Sequence, residues 1–433
     1  MVDIWLFRLK CFNEEAGQAK YNNIREIREE IAVIKKCCPI CGKKFFQLIT
    51  HRKEISPYQN KLFDDKQSAL SCEKRTMEMV ICENCGFVFN REFDTELDLY
   101  DKNYNNSQNA SEIFSEYVDE KVRYLIENFV GSNTRKIVEI GCGREAKFLY
   151  DCYQYINNTD IQFVGYDPSF VACEGLTDIN FMVFKKYYDI TTSENLEADI
   201  IISRHVIEHV DEPLFLLKAL SGLNSNNEKA IAYVETPDVT WILKNNVIFD
   251  FPYEHCSLFS PESLAYAMKE SGLVLFDLKL TFNNQYICSY FTNSCGGGKA
   301  IDIKYNTEEL IELAEKYRKN EDEVLFYLGE LLKKCKTKGK IALWGAGAKA
   351  NVMLNLLDKD ALLVDYVIDI NQHKQGKYIS GTGHEISSKD VLDDNELRTI
   401  IVMNRNYYDE IKEIIVQKRN DLEIINIDMN LNV

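Results

Sequence analysis

Val138-Glu139-Ile140-Gly141-Cys142-Gly143, with Gly165-Tyr166-Asp167 further on, is the stretch on which the fold of this chain turns. An apolar run ending in Gly-x-Gly predicts a strand that feeds directly into a helix. Glycines there let the backbone approach a ligand, and the first helical turn offers free N–H groups. Asp167 falls at the end of the next strand, where a carboxylate can accept both hydroxyls of an adenosine ribose. Around this motif, strand-like runs at 136–140, 162–166, 199–203 and 230–235 alternate with helical stretches. That rhythm predicts a parallel sheet with helices on both faces. Runs at 274–280 and 286–291, separated by Asn283-Asn284, predict a closing hairpin.

Cys295-Gly296-Gly297-Gly298 reads as a linker, and the chain beyond it repeats the strand–Gly-x-Gly–helix logic. Residues 307–334 predict one long helix, with Leu310, Ala314, Tyr317, Val324 and Leu328 along its faces. A strand at 341–344, the turn Gly345-Ala346-Gly347, a helix to about residue 357 and a strand at 365–369 follow, then strands at 399–403 and 423–427. Gly345, Gly347 and Asp369 meet a dinucleotide fingerprint by position. Two readings stay open: a nucleotide pocket, or a Rossmann-like domain acting as a wall or substrate clamp.

Upstream lie two knuckles, Cys38-Pro39-Ile40-Cys41-Gly42 and Cys82-Glu83-Asn84-Cys85-Gly86. Two C-x-x-C-G turns supply the four thiolates of a tetrahedral zinc site, so Cys38, Cys41, Cys82 and Cys85 are the expected ligands of a structural Zn²⁺. Residues 21–36, with Ile24, Ile27, Ile31 and Ile34 on one face, predict a short helix packed on this lobe. A polar turn-like segment at 101–107 leads into a helix near 111–130.

The formal net charge of −17 argues against a nucleic-acid partner, which needs clustered Lys and Arg. No apolar run is long enough to span a membrane, and the first ten residues do not read as a signal peptide. Most of the 14 cysteines are isolated, which suits a reducing compartment and a cytoplasmic address.

Chemistry concentrates in two segments. In Ser203-Arg204-His205-Val206-Ile207-Glu208-His209 the two histidines stand at i and i+4, a metal-ligand spacing on a helix. No third ligand is near in sequence, so His209 reads as structural and His205, closer to the strand end, as facing the pocket. The second segment, Phe249-Asp250-Phe251-Pro252-Tyr253-Glu254-His255-Cys256-Ser257-Leu258-Phe259-Ser260-Pro261, follows the fifth strand and ends in a helix cap with proline at the first helical position. Three polar side chains in a row between aromatics have no evident packing need.

Apolar–Glu–apolar–Gly-x-Gly resembles the class I methyltransferases, which bind S-adenosylmethionine. That resemblance implies that Glu139 positions the loop, Gly141 and Gly143 border the methionine part, Asp167 holds the ribose and Asp189 meets the adenine. The cysteine knuckles, this core, the Tyr-Glu-His loop and the C-terminal Trp344-Gly345-Ala346-Gly347-Ala348-Lys349 together resemble the three-domain sugar C-methyltransferases. The fold this implies is α/β: a doubly wound class I methyltransferase sheet flanked by an N-terminal zinc-binding lobe and a C-terminal Rossmann-like domain. The expected domains are 1–95, 96–296 and 297–433. The implied reaction is methylation of a carbon beside a keto group on a nucleotide-linked deoxysugar.

A carbon nucleophile must first lose a proton alpha to the carbonyl, which requires a base and a donor to the developing enolate oxygen. His255 is the expected base, Glu254 its orienter or an alternative base, and Tyr253 the donor; Tyr104 resembles a further active-site tyrosine. Two other readings compete. One is O- or N-methylation of a sugar or related metabolite. The other is a zinc-ribbon binding protein with a degenerate core, suggested by Glu145 where the glycine loop usually has a small residue.

Overall fold

The computed structural model describes residues 37–100, 104–106, 110–171, 179–188, 196–293, 300–301, 303 and 306–427. The helix expected at 21–36, the glycine linker 295–298 and Asp189 lie outside the described residues. In chain order the strands are Phe46–Ile55 (β1), Arg75–Cys82 (β2), Val88–Asn90 (β3), Lys136–Ile140 (β4), Gln162–Tyr166 (β5), Phe181–Phe184 (β6), Ile200–Arg204 (β7) and Ile231–Pro237 (β8). They continue with Ser257–Leu258 (β9), Leu273–Thr281 (β10), Tyr286–Asn293 (β11), Lys340–Trp344 (β12), Tyr366–Ile368 (β13), Ile386–Ser387 (β14), Leu397–Val402 (β15) and Glu423–Asn426 (β16).

The central 7-stranded sheet runs β10-β11-β8-β7-β4-β5-β6. Its members β4 to β8 are parallel, whereas β11 is antiparallel to both β8 and β10. This order, with one reversed strand near the edge, is the class I methyltransferase fold. The parallel strands read as near-continuous apolar runs because both faces are covered. Helices Glu112–Phe129 and Lys147–Ile156 pack on one face, around Phe148, Phe163 and Tyr290; Leu217, Leu264 and Phe291 fill the other. The hairpin turns through Phe282, Asn283 and Asn284, all at positive φ, as the Asn-Asn signal requires. Helix Pro261–Glu270 starts with the expected cap: Ser260 Oγ accepts the Ser263 N–H and Pro261 follows.

A parallel 5-stranded sheet, β14-β13-β12-β15-β16, forms the C-terminal unit behind helix Thr307–Lys338. The N-terminal lobe is an antiparallel sheet, β1-β2-β3-β9. Its fourth strand comes from the loop carrying Tyr-Glu-His, with Val88 opposite Leu258 and Phe89 opposite Ser257. The lobe is therefore not contiguous in sequence, unlike the expected N-terminal block. Arg52 fixes the same connection from the other side: Nη1 donates to Phe251 O (3.1 Å), Nη2 to Ile248 O (2.8 Å), and the guanidinium pairs with Glu321 of the long helix. One apolar core joins Met77 and Leu258 of the lobe to Leu328 of the long helix and Ile401 of the C-terminal sheet.

Candidate active site

The carboxyl ends of both parallel sheets open onto one cavity of about 430 Å³, the place where open α/β sheets receive ligands. One wall is the loop after β4. Gly141 has φ +71°, and a Cβ there would stand 2.2 Å from Val206 Cγ2, so only glycine fits. Glu139 lies beneath the loop, its Oε2 accepting the Leu149 N–H (3.0 Å) at the start of the next helix; burial pushes its carboxyl up to about 8. Asp167 stands at the end of β5. Its Oδ2 accepts Gly143 N–H (2.8 Å), and Oδ1 accepts both the N–H and the hydroxyl of Ser169 (2.7 and 2.6 Å).

The opposite wall repeats the device. Gly345 has φ +102°, and Asp369 Oδ2 accepts Ala346 N–H (2.9 Å) while Lys374 Nζ lies 3.4 Å from the same oxygen. Lys349 reaches across to Asp250 (2.8 Å), joining the C-terminal unit to the loop after β8.

The three neighbours of the Tyr-Glu-His loop go to different places. Tyr253 does not line the cavity: its hydroxyl accepts Asp94 N–H (2.8 Å) and donates to Glu92 O (3.2 Å), holding the N-terminal lobe. The donor role expected of it does not fit that position, because its hydroxyl already serves two backbone groups. Glu254 is also turned away. Oε1 accepts Gln59 N–H (2.7 Å) and Asn60 N–H (3.0 Å), Oε2 accepts Asn60 Nδ2 (3.1 Å), and burial raises its carboxyl to about 7. It anchors a loop of the lobe and does not orient His255. His255 is the one of the three that lines the cavity. Burial, then the neighbouring His209, lowers its imidazole to about 3, and its buried Nδ1 has no hydrogen-bond partner among the described residues.

Tyr104 joins the same cavity, its ring edge-on to Tyr100 at 5.1 Å and its backbone bridged to Lys61. His209 is more than a packing residue. Its ring stands edge-on to His255 (centroids 4.8 Å), and Nδ1 lies 2.9 Å from the Tyr100 hydroxyl and 3.1 Å from Glu254 O. His205 also lines the cavity, with Nδ1 3.3 Å from Glu208 and Nε2 3.1 Å from Glu235. Burial opposes its charge, yet these carboxylates raise the imidazolium to about 9. Glu235 also receives Arg204 Nε (2.8 Å), Tyr117 OH (3.0 Å) and Tyr233 OH (2.5 Å). The signal for this network was an acidic residue closing an otherwise apolar strand. Replacing Glu235 by Gln takes the carboxylate from the largely buried Arg204 and leaves His205 only Glu208, and a stability loss of about 3–5 kcal/mol is expected in urea unfolding; a loss below about 1 refutes the role.

The four knuckle cysteines converge as expected, all free, with Cys38 Sγ 3.6 Å from Cys85 Sγ and Cys41 Sγ 3.4 Å from Cys82 Sγ. Sulfurs bound at about 2.3 Å around a tetrahedral zinc stand roughly 3.8 Å apart, so the set fits Zn²⁺. Gly42 and Gly86, at φ +69° and +70°, close the two turns, each N–H donating to the carbonyl of the first cysteine.

Two family models match the chain: "methyltransferase domain" over residues 112–278, and "C-methyltransferase C-terminal domain" over residues 304–421. The chain carries a methyltransferase domain. A C-methyltransferase C-terminal domain follows it. Solved structures resembling the chain include CalO1, a methyltransferase in calicheamicin biosynthesis in its SAH-bound form (12% identity, 42% of this chain and 55% of that one, TM-score 0.32). Others are TnmH (14%, 42% and 57%, TM-score 0.30) and the SAH-bound magnesium protoporphyrin IX methyltransferase ChlM from Synechocystis PCC 6803 (15%, 42% and 84%, TM-score 0.31). The match spans about half the length of the first two of these proteins. No curated protein is similar enough in sequence to match. Among the described residues no helix is long and apolar enough to cross a membrane.

Proposed function

We propose that this chain is an S-adenosylmethionine-dependent C-methyltransferase acting on the carbon beside a keto group of a nucleotide-linked deoxysugar. One observation carries the reading: the glycine loop, His255 and the C-terminal Gly345 loop line the same cavity, whose size suits a small ligand. The C-terminal unit then serves as a wall that closes on substrate, and the parts 1–95 (completed by β9 of the middle part), 96–296 and 297–433 act as lid, methyl-donor domain and clamp. Glu139, Gly141, Gly143 and Asp167 hold the cofactor, with Asp189 assigned to adenine.

His255 takes the alpha proton: the C–H bond breaks, an N–H bond forms, and the electron pair moves onto the keto oxygen as an enolate. The enolate carbon then attacks the sulfonium methyl in line; C–C forms, C–S breaks, and S-adenosylhomocysteine leaves. Tyr104, which lines the cavity together with His255, takes over the donor role to the enolate oxygen. Glu254 shapes the loop instead of touching substrate. Zinc on Cys38, Cys41, Cys82 and Cys85 supplies a structural crosslink, since four thiolates leave no open coordination position.

Calorimetry and product analysis test this. S-adenosylmethionine should bind the wild type, and Asp167→Ala should weaken binding about tenfold to a hundredfold, the worth of charge-assisted hydrogen bonds. With methyl-labelled cofactor and dTDP-linked keto-deoxysugars, NMR should place the new methyl on carbon. A methyl found on oxygen or nitrogen overturns the carbon assignment, and absent cofactor binding overturns the enzyme reading.

A further inference from the structure

Glu254 faces the lobe, so the base reading leaves His255 without its expected acidic partner. A different carboxylate is present. Oxygen and nitrogen atoms of Glu208, His209 and His255 lie within 4.8 Å of one another. Glu208 is buried, its Oε2 accepts the Thr236 hydroxyl (3.1 Å), and Oε1 lies 3.3 Å from His205 Nδ1. His209 is pinned through Nδ1 by Tyr100 and the Glu254 carbonyl, which leaves its Nε2 free of those contacts. His255 joins this group, and its Nδ1 is buried without a hydrogen-bond partner among the described residues. An unmet polar atom there costs stability unless a proton or a bridging group meets it during the reaction.

We propose that Glu208, together with His209, is the positioning pair of the base His255, supplying the counter-charge when the imidazole becomes imidazolium. The inference rests on the reading of His255 as base. In the resting state Arg204 and His205 offset Glu208 and Glu235, so the cluster is balanced before the reaction. Once the C–H proton has moved to His255, the added positive charge is met by Glu208 through the gap that the three side chains frame. After methyl transfer the proton passes from the imidazolium to solvent as product leaves. Glu208 does not touch substrate in this scheme; it acts through His255.

The test is deuterium wash-in at the acceptor carbon of a dTDP-linked keto-deoxysugar, followed by NMR on the full chain with S-adenosylhomocysteine bound. Glu208→Gln should slow exchange about tenfold to a hundredfold, the size of one charge-assisted hydrogen bond, while S-adenosylmethionine affinity stays within about twofold. Glu208→Asp, which keeps the charge and tests against simple misfolding, should recover part of the rate. Exchange by Glu208→Gln at the wild-type rate, with His255→Asn inactive, overturns the positioning role alone. Unimpaired exchange in both variants overturns the base reading itself. A slow Glu208→Asp indistinguishable from Glu208→Gln, or a second metal equivalent beyond the cysteine site that Glu208→Gln abolishes, also overturns the proposal.

Discussion

Replacing His255 by Asn stops solvent exchange at the acceptor carbon and methyl transfer together, by about 10²–10⁴-fold, while S-adenosylmethionine binding is retained. The expectation follows from placement. His255 is the member of the Tyr-Glu-His loop that meets the cavity, and it takes no part in the hydrogen bond that holds Gly143 to Asp167. Burial and His209 keep its imidazole unprotonated through the neutral range, so the ring nitrogen is available, and the cost of charging it there is what a neighbouring counter-charge must offset during proton transfer. Asparagine keeps a similar size and removes the basic nitrogen. Calorimetry with the cofactor and deuterium exchange into the sugar nucleotide check the two halves separately. If the variant exchanges and methylates at wild-type rate, His255 is not the base.

Removing the metal, or changing Cys82 to Ser, unfolds the N-terminal lobe and abolishes activity, yet spares cofactor binding in the central sheet. Zinc at a four-thiolate site contributes about 10–16 kcal/mol of apparent binding energy, more than a small lobe with so limited a core can replace. The loss reaches the active site because β9 is the lobe's fourth strand and lies directly after His255. Asn90 N–H donates to Cys256 O (3.0 Å), so fraying of β3 releases the loop. Hydrogen exchange should rise across β1, β2, β3 and β9 and stay low in β4 and β7. A lobe that keeps its protection after the metal is removed refutes the structural role.

The local signals were readable because each rests on neighbours in sequence. Gly141 needs positive φ, Ser260-Pro261 caps a helix, Asn283-Asn284 turns a hairpin, and each C-x-x-C-G knuckle folds on its own backbone. Hydrophobic periodicity likewise marked the central strands and the long helix, whose observed span is Thr307–Lys338. The site's electrostatics were not readable. Tyr253, Glu254 and His255 are adjacent in the chain, but their partners lie at Asp94, at Gln59 and Asn60, and at His209.

The sequence by itself determined the fold class, the glycine loop after β4 and the two cysteine knuckles, because short-range backbone geometry and spacing dictate them. Only the tertiary structure decided which side of the Tyr-Glu-His loop meets the cavity, and that Glu208 and His209 gather beside His255. Those outcomes depend on strand pairing between segments far apart in the chain, such as Val88 with Leu258, and no local pattern encodes such pairing.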